Sequence, residues 1–257
     1  MNHGRVAVIT GGARGVGYGI AEKLASEGDR VIVVDLLEDQ GREAADQLGG
    51  EFFRADVSDE DSVADLAHAV ERDWQGAEVL VNSAGLLQAP GRSESMPLGD
   101  HDRIWSVNYR GTYLCCRAFA PQMAARGQGA ILNVGSTNSF QMMPLPAYAP
   151  TKAAIRALTE LLAAEWGPRG VRVNTVAPGF ARTPAFQAKI DAGERDPRKI
   201  AATTALGRLV EPSEIGEAAA FLCSDRASGI TGVTLPVDCG WLAMLGFHAF
   251  PGDPEGA

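Results

Sequence analysis

Short apolar runs, many of them β-branched, alternate along the chain with longer stretches of helical period. Val31-Ile-Val-Val34 has no polar residue within it, so a strand there is expected to be buried on both faces. Such runs predict strands over 6–10, 31–35, 51–54, 79–82, 130–134, 171–177 and 234–237, and helices near 15–27, 39–48, 60–74, 102–125, 148–166 and 212–223. Repeated strand–helix alternation predicts a doubly wound α/β fold: a parallel sheet, right-handed crossovers and helices on both faces. No linker rich in Pro, Gly or Ser and no repeat divides the 257 residues, so one domain over 1–257 is expected.

Two stretches break the rhythm. Residues 86–99 hold two prolines and no clear period. Residues 179–208 carry Pro184, Pro197, mixed charge and scattered Phe180, Phe186, Ile190 and Ile200. An irregular insertion of that length is expected to serve a function, here a substrate lid over 184–206. The tail beyond Gly240 is apolar through Phe250; that part is expected to pack and the last few residues to fray.

Composition narrows the function. Apolar residues make up 46% of the chain, enough for a sizeable core. A net charge of −9 without basic runs argues against a nucleic-acid partner. The first apolar run, 6–9, is too short for a signal-peptide core, and no stretch reaches the roughly 18 apolar residues of a membrane span. Cys115, Cys116, Cys223 and Cys239 have no metal-ligand spacing. No metal is expected, and free thiols fit a reducing cytoplasm.

The candidate chemistry begins at the first strand–helix junction, Thr10-Gly-Gly-Ala-Arg-Gly-Val-Gly17. Gly11, Gly15 and Gly17 permit a tight turn with close backbone approach, and the helix N-terminus offers free N–H groups to a pyrophosphate. Asp35 ends the second strand, where a carboxylate accepts bonds from ribose hydroxyls and repels a 2′-phosphate, which favours NAD. Arg14, a cation in the turn, pulls toward NADP; Asp35 carries more weight because it stands where the phosphate would lie. Leu36 follows it. Asp56-Val57 after the third strand and Asn82-Ser-Ala-Gly85 after the fourth lie at the same sheet edge, and the small Ala84 and Gly85 let a cofactor lie against the backbone.

Tyr148 and Lys152, four apart, share a helix face. An unperturbed phenol has a pKa of about 10; a nearby ammonium and a cationic nicotinamide favour the phenolate, and about 4 kcal/mol brings it near neutrality. Tyr148 is therefore the expected general acid in reduction and base in oxidation. Pro150 is tolerated only in a first helical turn, which places Tyr148 at the helix N-terminus. Ser136 closes the fifth strand, where its hydroxyl can hold a substrate oxygen. Asn108 sits inside a helical pattern that Asn suits poorly.

Together these residues resemble the classical short-chain dehydrogenases/reductases over about residues 5–240. The motifs are the glycine turn, Asp56-Val57, Asn82-Ser-Ala-Gly85, Asn108, Ser136, Tyr148-Ala-Pro-Thr-Lys152 and Pro178-Gly-Phe-Ala-Arg-Thr183. The resemblance implies a seven-stranded Rossmann sheet and a homotetramer or homodimer. It implies Tyr148 as acid/base, Lys152 on the nicotinamide ribose, Ser136 orienting the carbonyl, and Asn108 holding a water that relays protons to Lys152. It also places Thr183 at the nicotinamide carboxamide, Val57 beside adenine, and Val16, Pro178 and Gly179 in the cofactor's lining. Ser83 stands where the family often has Asn, Gly135 where it often has Ser, Ala181 where it has Ile or Val, and Cys239 where glycine is frequent.

The leading expectation is an NAD-dependent oxidoreductase acting on a secondary alcohol or ketone. Substrate-wall candidates are Ser136, Asn138, Gln141, Met142 and Phe186. An NADPH-dependent ketoacyl-type reductase is the alternative enzyme, and a non-catalytic dinucleotide-binding module the alternative of another class.

Overall fold

The computed structural model describes residues 4–247. Seven strands, β1 (Val6–Thr10), β2 (Arg30–Asp35), β3 (Glu51–Arg54), β4 (Val79–Asn82), β5 (Gly129–Val134), β6 (Val171–Pro178) and β7 (Thr234–Val237), form one sheet in the order β3-β2-β1-β4-β5-β6-β7. Every neighbouring pair is parallel. The helices are α1 (Gly15–Ser26), α2 (Glu38–Leu48), α3 (Glu60–Trp74), α4 (Leu98–Trp105), α5 (Gly111–Ala125), α6 (Tyr148–Trp166), α7 (Pro184–Asp191), α8 (Pro197–Ala201), α9 (Pro212–Cys223) and α10 (Trp241–Met244).

Successive strand side chains point to opposite faces, and each face has its own apolar layer. Val6, Val8, Ile32, Val34, Leu80 and Ile131 pack with α3, α5 and α6 through residues such as Leu66, Phe119 and Leu158. Ala7, Ile9, Val31, Val33, Val81 and Leu132 pack with α1, α2 and α9 through Ile20, Leu24 and Ile215. The order reverses between β1 and β4, and in such a sheet ligands lie beyond the carboxyl ends of the strands at that switch. Thr10, Asp35, Asn82, Val134 and Pro178 are those carboxyl ends.

Three segments differ from their sequence expectation. The single helix over 102–125 is instead α4 and α5 joined by a π-helical turn at Ser106–Arg110; the wider turn, a common device at functional sites, carries Asn108. The stretch 86–99 holds a 3₁₀ turn at Ser93–Ser95 before α4 begins. The stretch 184–206 is not irregular: it contains α7 and α8, each with proline in its first turn and capped by Thr183 or Asp196. Of the apolar tail, Trp241 packs edge-on against Phe180, ring centroids 5.9 Å apart; the expectations for 248–257 fall outside the described residues. Among the described residues, no helix is long and apolar enough to cross a membrane.

Candidate active site

The turn after β1 is built by backbone. Gly11 and Gly15 both have φ of +65°, a left-handed conformation that costs other residues strain. A Cβ on Gly11 would lie 2.7 Å from the Ala84 backbone, and one on Gly17 would lie 2.1 Å from the Gly11 carbonyl oxygen. At Gly15 the nearest atom to such a carbon is the Thr183 methyl, 3.7 Å away. The turn is thus closed beneath and open above, with Thr183 as its far wall, a cradle of the kind a pyrophosphate needs. Thr10 Oγ1 accepts N–H groups of Ser83 and Ala84 at 3.2 and 3.3 Å, joining this turn to the one after β4.

Asp35 stands half-buried beside that cradle. Its Oδ2 accepts the Ala13 N–H at 3.2 Å and its Oδ1 the Leu37 N–H at 3.1 Å. Each oxygen keeps a lone pair for a ribose hydroxyl. Arg14 and Leu36 are exposed at the rim, and Val16 is half-buried. Asp56 is half-buried and accepts the Ser58 N–H and hydroxyl at 2.9 and 2.7 Å. Pro178 is buried, and Gly179 donates its N–H to Val237 at 3.0 Å.

Two expected cofactor contacts face inward. Val57 is buried in the core, where a Cβ on Gly111 would lie 2.8 Å from its methyl. Asn82 turns its amide into the sheet, donating to Asn133 Oδ1 at 2.9 Å and leaving Oδ1 without a partner. What Asn82 offers the cleft is therefore backbone. Asn133 Nδ2 donates to Thr159 Oγ1 at 2.9 Å; Thr159 gives its one proton to the Ile155 carbonyl, so Thr175 donates to Thr159 at 2.7 Å. This buried polar ladder ties β4, β5, α6 and β6 together under the site. A lone Asn in the apolar run 130–134 was its sequence signal.

The other half of the site hangs on side chains. Tyr148 opens α6 and Lys152 lies one turn on, its Nζ 5.5 Å from the Tyr148 ring centroid. Lys152 Nζ donates to the Val134 carbonyl at 2.7 Å. Ser136 Oγ accepts both the N–H and the side-chain Nδ2 of Asn138 at 3.2 Å each. With both lone pairs engaged, its own proton is what it has left to give. Asn138 is correspondingly buried, its Oδ1 accepting the Met143 N–H at 3.1 Å; it orients Ser136 and is not substrate wall. Gln141 and Met142 are exposed, and Phe186 is half-buried with its ring centroid 6.5 Å from that of Phe180.

Asn108 is fully buried, and its carboxamide clamps Leu86: Oδ1 accepts the Leu86 N–H at 2.7 Å and Nδ2 donates to the Leu86 carbonyl at 3.0 Å. Both ends of the carboxamide are thereby oriented, each with one hydrogen-bonding position left. A Cβ on Gly85 would have Asn108 Oδ1 at 3.4 Å and Lys152 Nζ at 4.0 Å, so the β4 turn, Asn108 and Lys152 meet at one point.

Burial works against the phenolate expected of Tyr148. Burial pushes the Tyr148 phenol up to about 12, against the downward pull of the Ser136 hydroxyl, and burial lowers the Lys152 ammonium to about 8. Without a bound cation, the closed surroundings favour the neutral form of both groups. The phenol is not made acidic by the chain alone, although Tyr148 keeps part of its surface open to solvent.

Sequence reasoning missed Gln88. Its Oε1 accepts the N–H groups of Ala147 and Tyr148 at 3.0 and 2.9 Å, capping α6 from a distant loop. It also borders a cavity of about 460 Å³ between residues 86–97 and α4. That cavity touches none of Ser136, Tyr148 and Lys152 and is not the reaction site. Among the described residues, no cluster of His, Cys, Asp and Glu could hold a metal.

Comparison with known proteins agrees with this geometry. The family model described as enoyl-(acyl carrier protein) reductase matches residues 11–242. The D-threitol dehydrogenase of Mycolicibacterium smegmatis is 38% identical over 245 residues, 93% of each chain. A crystal structure of ribose-5-phosphate isomerase from Brucella melitensis 16M superposes with a TM-score of 0.92 at 40% identity, covering 97% of this chain and 98% of that one. The 3-ketoacyl-(acyl-carrier-protein) reductase from Brucella melitensis, crystallised with NADH, gives a TM-score of 0.87 at 35% identity, covering 94% and 99%. The chain belongs to the classical short-chain dehydrogenase/reductase family, oxidoreductases that bind a nicotinamide dinucleotide.

Proposed function

We propose that the protein is an NAD-dependent dehydrogenase/reductase interconverting a secondary alcohol and its ketone, with Tyr148 as proton donor and acceptor. The observation that carries this reading is the meeting of Tyr148, Lys152 and Ser136 beside the Gly85 backbone, at the carboxyl edge that also holds the glycine cradle. The glycine positions fit a dinucleotide: Gly11 and Gly17 let the turn close tightly beneath it, and a side chain on Gly15 would enter the space between the turn and Thr183. Gly11, Gly15 and Gly17 would hold the pyrophosphate, Asp35 the adenosine ribose, and Thr183 the far end. Hydride acceptance or donation is the chemistry the nicotinamide supplies when bound.

The chain's own residues manage the proton. In ketone reduction, Ser136 donates its free hydrogen to the carbonyl oxygen and Tyr148, protonated at neutral pH, passes a proton to that oxygen as it gains charge. Lys152 spends one N–H on Val134 and keeps two for a ribose hydroxyl and for stabilising the phenolate that results. In oxidation the proton runs the other way. Residues 184–206 form the substrate lid in this reading, with Gln141, Met142 and Phe186 offering wall. A cytoplasmic homotetramer or homodimer completes the proposal; buried, unpaired Cys115, Cys116 and Cys223 fit a reducing compartment.

Asp35 supports NAD over NADP. The exposed Arg14 favours a second reading, an NADPH-dependent ketoacyl-type reductase. A panel of polyols, cyclic alcohols, hydroxysteroids and a ketoacyl thioester, followed by nicotinamide absorbance with each cofactor, separates the two. NAD-linked alcohol turnover is expected; an NADPH preference with the thioester would replace the first reading by the second. Tyr148→Phe should lower kcat by about three orders of magnitude and leave NAD binding intact. Persistent turnover in that variant would remove Tyr148 from its role.

A further inference from the structure

The loop after β4 is pinned at three points. Asn108 holds Leu86 from both sides, and the Gly91 N–H donates to the Pro144 carbonyl at 2.9 Å. Between them Gln88 reaches the start of α6, its Oε1 accepting from Ala147 and Tyr148. Its Nε2 lies 3.1 Å from Met96 Sδ, which fixes the amide's orientation.

A helix N-terminus leaves its first N–H groups without intrahelical partners. In α6 the capping position is Ala147, which has no side chain to serve them. The Ala149 N–H goes to the Leu145 carbonyl at 2.9 Å, and Pro150 has no N–H. The N–H of Tyr148 is served by Gln88, sixty residues away in sequence. A local Ser or Asp at 147 would have capped the helix as well. The acceptor comes instead from the loop continuing the Asn82–Gly85 turn.

Resting on the reading of Tyr148 as acid/base, the geometry points to Gln88 as a positioning residue for the reaction. Its carboxamide oxygen holds the Tyr148 backbone, sets where the phenol stands against Ser136 and Lys152, and links that placement to the turn on which the dinucleotide lies. Gln88 touches no reacting atom and acts through Tyr148.

Two variants test this in the full-length protein. Gln88→Met keeps the length and removes the acceptor; Gln88→Glu keeps the acceptor and adds a charge. Both are assayed with NAD and the best alcohol of the panel, across pH, beside melting temperatures and Tyr148→Phe. Gln88→Met is expected to lower kcat about fivefold with KM for NAD unchanged. Gln88→Glu is expected to recover most of kcat at high pH, with the acid limb of the oxidation profile moved up by about half a pH unit, because a carboxylate disfavours the phenolate. A purely structural cap would move the melting temperature and leave kcat parent-like in the folded variants. Parent-like kcat in Gln88→Met, or a kcat that Gln88→Glu does not recover at high pH, overturns the inference; should Gln88→Met fail to fold, the recovery in Gln88→Glu decides. An inactive Tyr148→Phe beside an unaffected Gln88→Met removes Gln88 alone and leaves Tyr148 in its role. An active Tyr148→Phe removes both.

Discussion

The two halves of the carboxyl edge are made differently. Between β1 and α1 the fittings are backbone: left-handed glycines and a carbonyl where a side chain would collide. Between β5 and α6 they are side chains, each fixed by a hydrogen bond to another residue: the Ser136 hydroxyl by the Asn138 amide, Tyr148 through its main-chain N–H by Gln88, Lys152 by the Val134 carbonyl. A backbone site fails when an atom is added. A side-chain site fails when a partner is taken away, and it can cost the fold stability while intact, because polar groups are kept dry for chemistry.

The sharpest way to break the comparison is Gly17→Ala. The added carbon would sit 2.1 Å from the Gly11 carbonyl oxygen and 2.9 Å from its carbonyl carbon, main-chain atoms that cannot swing aside. A loss of about 3 kcal/mol of stability is expected, together with loss of NAD binding. Chemical denaturation and NAD titration measure the two. A variant that binds NAD like the parent would show that the turn yields, and the contrast between the halves would collapse.

Lys152→Met tests the other half, with the opposite sign. The Lys152 ammonium is buried and lowered to about 8. From about pH 8 to the ordinary lysine range near 10.4, the unfolded chain holds a proton on this group that the folded chain has released, so the Lys152 contribution to stability rises with pH there. Below pH 8 the folded protein carries the full cost of the buried charge. Over the same range the unfolded chain's cysteines, and then its tyrosines, release protons that the folded chain keeps, because burial pushes the Cys116 and Cys223 thiols and the Tyr148 phenol up to about 12, so the Lys152 share is read as the difference between parent and variant. Removing the charge should raise stability at pH 7 by about 2 kcal/mol, after allowing for the lost bond to Val134. The stability gained over the parent should shrink as pH rises from 8 to 10, and turnover should be abolished. A less stable variant would mean that the Nζ–Val134 bond outweighs the buried charge.

The same division explains what could be read from the sequence. The parallel sheet, the helices over 60–74, 148–166 and 212–223 and the glycine turn were legible, because apolar period and glycine spacing are local signals. The inserted turn at 106–110 was not, since apolar residues continue on both sides of it and only the ill-suited Asn108 marked the place. The identities of Ser136, Tyr148 and Lys152 were legible in their spacing, and their supports were not. Gln88 lies in a stretch without period and finds its partner sixty residues on. Asn138 stands close enough to Ser136 in sequence to be a candidate, but its burial and its bonds to Ser136 and Met143 are tertiary and leave no local signal. The burial that raises the Tyr148 phenol was not legible for a related reason: the sequence supplies the ammonium but not the dryness around the phenol.

The smallest effect belongs to Cys239, where a backbone fitting is occupied by a side chain. Its φ is +52°, and among the described residues only Gln75 shares that departure without being glycine. A left-handed conformation costs an ordinary residue roughly 1–2 kcal/mol, whereas glycine adopts it freely and loses about 0.5–1 kcal/mol of that advantage to its looser unfolded chain. The thiol recovers little, since Sγ reaches only the Leu209 carbonyl at 3.6 Å. Cys239→Gly is therefore expected to stabilise the fold by about 0.5 kcal/mol, a rise of roughly 1–2 °C in melting temperature. The neighbouring Asp238 should stay in place, because its carboxylate accepts the Gly240 and Leu242 N–H groups at 2.8 and 2.9 Å, and kcat should not change. A lower melting temperature would mean that packing of the half-buried thiol exceeds the backbone strain, making position 239 a side-chain fitting after all.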